Sequence, residues 1–190
     1  MQIDKNFLNI NPKDYKNIDQ INIQMLNLIE YFSVSKKTKA INCFLKTYQI
    51  VTNTVINYNK KNKQYFNNYK ELEKLDITFA NEFFEPLKMY LNNDKNLKST
   101  AWKEYFEYIQ KPNSIPFVQM LLGINAHING DLAISLYKAN VKDHKDFLKI
   151  NKILINVTNK VLFNLIINHK DILSIPAIFI PFFAKIMFKK

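Results

Sequence analysis

The chain contains no arginine, two glycines and one cysteine among its 190 residues. Each scarcity excludes something. Cys43 alone can form no intramolecular disulfide and supplies no cysteine-based zinc site. It follows KAIN in a helical pattern and reads as a small apolar residue. Sheet proteins need turn glycines at regular intervals, whereas Gly123 and Gly130 both sit in one stretch, LLGINAHINGDLAISL. That distribution favours helices joined by few loops. Without arginine, the formal charge of +11 is carried by lysine alone. Arginine is the side chain that forks onto guanine edges and phosphates, so sequence-specific nucleic-acid recognition is not expected. The lysines are also interleaved with acids, as in YKELEKLD and KEYFEYIQK. Heavy joint use of Asn, Ile, Lys and Tyr is the bias that AT-rich coding produces. The opening MQIDKNFLNINPKDY carries Asp4 and no apolar run of signal-peptide length, which makes the cytoplasm the expected location.

What is present is a folding composition. Hydrophobic residues make up 47% and aromatics 14%, enough for one domain over residues 1–190 to bury a core without staples. Apolar residues recur at three- and four-residue steps. Ile18, Ile21, Met25, Leu28 and Phe32 mark a first helix, with Asn11-Pro12 as its expected start. Ile41, Phe44, Tyr48, Val51 and Val55 mark a second, antiparallel to the first because the break between them is short. A third carries Leu72, Leu75, Phe79, Phe83, Leu87 and Leu91 with Pro86 inside it, and a short fourth follows an N-cap at Ser99. The fifth spans about residues 115–140, and the sixth starts near Asp143. The segment 172–190 is apolar, proline-interrupted and too short to cross a bilayer. It is expected to be a final helix or a peripheral arm, with a membrane-surface or oligomer contact as the alternative. The fold class is all-α, a single-domain bundle of six to seven helices around a central buried helix.

That central helix raises the functional question. His127 and Asp131 are four residues apart and share a helical face, as do Asn125 and Asn129 on the opposite side. Polar pairs on two faces imply a helix surrounded by others, with both pairs at least partly buried and in need of partners. Gly123 lets another backbone or a ligand approach one turn before His127, and Gly130 suggests a close contact or a distortion. An Asp one turn from a His orients the imidazole and raises its basicity. The pair could equally supply two ligands to a divalent metal, with Asp76, Asp146 or Asn151 completing the set. Asn151 falls on the stripe Phe147, Ile150, Asn151, Leu154 of the sixth helix, so a contact with His127 or Asp131 is expected. Asp146 lies nearer the helix start and reads equally well as a capping carboxylate.

LGINAHINGDL followed by DFLKINKIL resembles a bacterial family of unknown function, DUF5995, whose members carry an LGxNAHINxDL helix and then a DFxxVNxxL helix. LDITFANEFFEPLKMYL and TAWKEYF also resemble its segments in the same order, so the likeness covers roughly Leu72 to Leu154. Ile150 replaces the usual valine, and the C-terminal arm departs from the family's basic-aromatic ending. The resemblance implies no activity. It implies that Asn125, His127, Asn129, Asp131, Asp146 and Asn151 belong to one site, with Trp102 as a packing landmark. Three functions stay open: a hydrolase-like or metal-assisted enzyme using His127 and Asp131, a module binding a small or lipid-like molecule, and a structural protein whose polar cluster only fixes helix register.

Overall fold

A computed structural model describes residues 14–34, 40–142 and 144–168. The described residues form six helical rods and no strand. They are α1 (Ile18–Ser33), α2 (Ile41–Lys61), α3 (Tyr69–Leu91), α4 (Thr100–Ile109), a rod made of α5 (Pro116–Asn125), a π-helical segment (Ala126–Asp131) and α6 (Leu132–Ala139), and α7 (His144–Asn168). The all-α expectation is met. The expected start at Asn11-Pro12, the expected cap at Asp143 and the apolar segment 172–190 lie outside the described residues.

Local sequence sets the helix ends. Asn17, Asn68 and Ser99 each accept a backbone N–H of the first turn, at Gln20, Glu71 and Trp102. Pro116 stands at the start of α5, where the missing N–H has no helical partner anyway. Asn140 closes α6 in the left-handed conformation, φ 54° and ψ 50°. Helix α3 runs through Pro86 without ending.

Packing follows the apolar stripes. Ile18 at the start of α1 meets Val55 and Ile56 near the end of α2, and the Asp19–Lys60 ion pair spans the same ends, so the two helices are antiparallel. One core cluster is aromatic: Phe32, Phe44, Phe83, Phe84, Trp102, Tyr105 and Phe106 come from α1 to α4. A second, aliphatic cluster joins the outer ends of α1, α2 and α3 to Met120 of α5 and to Ile150, Ile153 and Val157 of α7. Phe44 sits at the aromatic centre, edge-on to Phe83, Trp102 and His127.

The central rod differs from the expected uniform α-helix. The Leu132 amide bonds the His127 carbonyl, five residues back rather than four. The wide turn keeps Ala126, His127 and Asp131 buried together while Asn125, Asn129 and Gly130 face solvent. The rod therefore has an ordinary exposed face, and the expectation that both polar pairs are buried is corrected. Asn125 and Asn129 satisfy one another across that face, Nδ2 of Asn129 donating to Oδ1 of Asn125 at 2.8 Å.

The two glycines also separate. A Cβ at Gly123 would lie 2.7 Å from Cγ and Cδ2 of Phe44 and 2.9 Å from its Cβ, so a side chain rather than a backbone or ligand makes the close approach. A Cβ at Gly130 would meet nothing within 4 Å, so the expected feature there is the π distortion and not a contact. Opposite outcomes follow in urea unfolding. Gly123→Ala should destabilise by about 1–3 kcal/mol, because the base of a packed ring cannot swing away. Gly130→Ala should be neutral or stabilise by up to about 1 kcal/mol.

Candidate functional site

The π-helical segment builds a chain of three buried side chains. Asp131 Oδ2 accepts the indole N–H of Trp102 at 2.9 Å and lies 3.0 Å from Nδ1 of His127. All three residues are 5% exposed or less. The Trp102 indole needs an acceptor because a buried N–H is expensive to leave unpaired, and α4 delivers it to Asp131. Ser135 Oγ donates to the Asp131 carbonyl at 2.8 Å and ties the end of the wide turn to α6.

The His127 ring is clamped by aromatics. It stacks on Phe79 at 3.5 Å and 12°, with Tyr48 at 4.5 Å and Phe44 at 5.6 Å. One ring nitrogen is committed to Asp131. The other, Nε2, is buried and meets no hydrogen-bond partner. Burial holds the imidazole well below its ordinary 6.5, with Glu82 opposing in part. Burial pushes Asp131 up to about 7, against the lowering effect of the Trp102 hydrogen bond. The pair is thus poised as a neutral ring beside a carboxyl that titrates near neutrality.

His127 lines a cleft of about 90 Å³ between α2, α3, the central rod and α7. The walls are mostly apolar, including Val51, Val55, Leu75, Ile124 and Ile128. The whole expected stripe of α7, Phe147, Ile150, Asn151 and Leu154, faces this cleft. So does Asp76, whose Oδ2 is buried without a partner and whose pKa is raised by burial, and secondarily by Glu73, to about 7. Asp131 stands behind His127 and borders a second, polar groove together with Gly130, Glu82 and Lys138.

The site residues expected from sequence divide accordingly. His127 and Asn151 line the cleft and Asp131 backs it. Asp131 does not reach Asn151, because its Oδ2 is turned toward α4 and Trp102. No hydrogen bond joins His127 to Asn151 either, since Nδ1 is taken and Nε2 is unpartnered. Asn125 and Asn129 stand on the exposed face, outside the cleft. Asp146 is buried elsewhere. It accepts the backbone N–H groups of Asn67 and Asn68 at 2.9 and 2.7 Å and pairs with Lys149 at 2.9 Å. It therefore fastens α7 to the loop that opens α3, a capping role on a neighbouring element. These hydrogen bonds and the lysine outweigh the effect of burial and hold its carboxyl below the usual range.

Sequence reasoning missed the Trp102–Asp131 bond and treated Tyr48 and Phe79 only as core. A buried tryptophan announces a need for an acceptor, but its sequence does not say which one. Among the described residues, no three His, Cys, Asp or Glu side chains gather as a metal's donor set. Of the residues expected to complete such a set, Asp146 is committed to the loop that opens α3.

Two measurements test this geometry. Trp102→Phe should lose about 1–3 kcal/mol in urea unfolding, because the buried carboxyl of Asp131 forfeits its donor. Asp76 gives a pH signature. Its folded pKa near 7 exceeds the unfolded value near 3.9, so the native state holds a proton that the unfolded chain releases. Its contribution to stability therefore falls as pH rises from about 4 to 7 and is level above. Relative to the parent, Asp76→Asn should be about 2 kcal/mol more stable at pH 8 than at pH 5, allowing for partial solvent screening.

No curated protein and no solved structure matches the chain. A family model described as a family of unknown function, DUF5995, matches residues 18–173, which extends the resemblance seen around the central motif to all six described helical rods. The chain belongs to the DUF5995 family.

Proposed function

We propose that this protein binds a small molecule with a mainly apolar body in the cleft between α2, α3, the central rod and α7, and that His127 Nε2 contacts its polar end. The observation that carries this reading is the buried, unpartnered Nε2 of a histidine that lines an apolar cleft. An imidazole kept only to fix helix register would have both nitrogens satisfied, since an orphaned buried polar group costs about 1–3 kcal/mol. Here one nitrogen is anchored and the other is left for a ligand, which is how pockets present a few placed polar groups among apolar walls. The network reading accounts for Nδ1, Asp131 and Trp102 but not for Nε2.

An enzymatic version has one specific observation in its favour. Asp131 on Nδ1 fixes the orientation of the ring, the arrangement in which a histidine serves as a general base through Nε2. No serine, threonine or cysteine is hydrogen-bonded to Nε2. The hydrolase-like reading then takes the form of proton transfer with the ligand rather than attack by a protein nucleophile. The exposed Asn125–Asn129 pair and Asp146 are left out of the site.

His127→Phe separates a binding role from a structural one. It keeps an aromatic ring on Phe79 and removes Nε2. The variant should lose about 1–3 kcal/mol in urea, as Trp102→Phe does, because Asp131 forfeits a donor, and it should also lose the stabilisation that n-butanol gives the parent in thermal melts. Stabilisation by n-butanol equal to the parent's would overturn the proposal.

A further inference from the structure

The chemistry of the cleft lining narrows the ligand class, an inference that rests on the reading of the cleft as a ligand site. Two polar atoms of residues that line it, His127 Nε2 and Asp76 Oδ2, are buried and without a hydrogen-bond partner among the described residues. An ionised Asp131 can only accept, so Nδ1 then carries the ring proton and Nε2 presents a lone pair. An ionised Asp76 is an acceptor only. Both atoms therefore call for donors. Among the described residues no lysine lines the cleft, so a carboxylate or phosphate would face Asp76 with none of them to neutralise it. A hydroxyl brings one proton to two acceptors. A protonated amine brings three N–H donors and the charge opposite to Asp76. The rings of Phe44, Tyr48 and Phe147 along the walls add faces that attract a cation.

Size restricts the body. An enclosed apolar cavity of about 150 Å³ holds a benzene ring. This cleft, at about 90 Å³, takes a shorter chain, with anything longer leaving through the mouth. We propose that the cleft selects a primary ammonium on a short alkyl body, with the –NH3+ group held by the Asp76 carboxylate and His127 Nε2.

Such a site has a defined pH response. The titratable groups around Asp76 are Glu73 and Tyr69 on α3, Tyr48 on α2 and, on the central rod, His127 with Asp131 behind it, while the α7 residues at the cleft, Phe147, Ile150, Asn151 and Leu154, do not titrate. Asp76 is half-protonated near pH 7 and must ionise to hold a cation. Amine affinity should accordingly rise with pH, approaching tenfold per unit below pH 7, and level off above it.

The experiment is an NMR titration of the full chain with n-butylamine, n-butanol and butyrate at pH 6 and pH 8. It follows the His127 ring and the methyl groups of Val51, Ile124 and Ile128. The expected result is that n-butylamine shifts these signals at lower concentration than n-butanol, that butyrate does not shift them, and that the amine binds at least fivefold more tightly at pH 8. Asp76→Asn should weaken amine binding tenfold or more at pH 8 and cut its change between pH 6 and pH 8 to less than half of the parent's, the remainder coming from Asp131 behind His127, with n-butanol binding kept as proof of an intact cleft. Glu104→Gln, on the exposed face of α4, should stay within twofold of the parent. If n-butanol or butyrate binds as tightly as the amine, or if Asp76→Asn leaves amine binding unchanged, the amine assignment falls while the cleft remains a ligand site. If none of the three probes shifts these signals at any concentration tested, both readings fall.

Discussion

The carboxylate of Asp131 is the point on which the centre of this protein turns. One oxygen takes the indole N–H of Trp102 from α4 and meets the imidazole of His127 on its own rod. A buried carboxyl is tolerated only where donors reach it. Those donors fix how close α4 approaches, how the histidine ring is rotated, and which ring nitrogen is left over. The wide π turn makes this possible, because it lets His127 and Asp131 point inward together while the intervening Asn129 and Gly130 face water. Such turns interrupt the backbone ladder and occur often at functional sites.

The aromatic cluster supplies the rigidity that the polar chain needs. Phe79 covers one face of His127, Tyr48 and Phe44 limit its tilt, and Phe44 packs so tightly on Gly123 that the preceding turn of the rod cannot shift. A ring held this way keeps one orientation. Side chains on rigid helices hold geometry better than side chains on loops. The far side of the cleft is set by α7, which Asp146 and Lys149 fasten to the loop opening α3. That clasp is remote from the histidine, yet it positions the stripe from Phe147 to Leu154 that forms the cleft wall.

Two carboxyls in the protein's interior behave in opposite ways for physical reasons that are visible side by side. Asp146 is buried but receives two backbone N–H groups and a lysine, and its pKa is lowered. Asp76 has a buried oxygen without any donor, and its pKa is raised. Hydrogen bonds to the charged form decide the sign. A fastening carboxyl and a ligand-seeking one are thereby told apart, although both were equal candidates when only their positions in the chain were known.

The sequence by itself determined the all-helical class, the stripes of α1, α2, α3 and α7, the Ser99 cap and the singling out of His127 with Asp131, because each depends on neighbours three or four residues apart. It also put Asn151 on the inward stripe of α7. It misjudged the burial of Asn125 and Asn129, since the rule of 3.6 residues per turn says which groups oppose one another but not which side meets water. The partner of Asp131, the grouping of Asp76 with His127 and the transfer of Asp146 to the α3 loop were decided only by the tertiary structure. Each joins residues separated by 29 to 79 positions. Such contacts depend on how whole helices pack, and no local spacing carries that information.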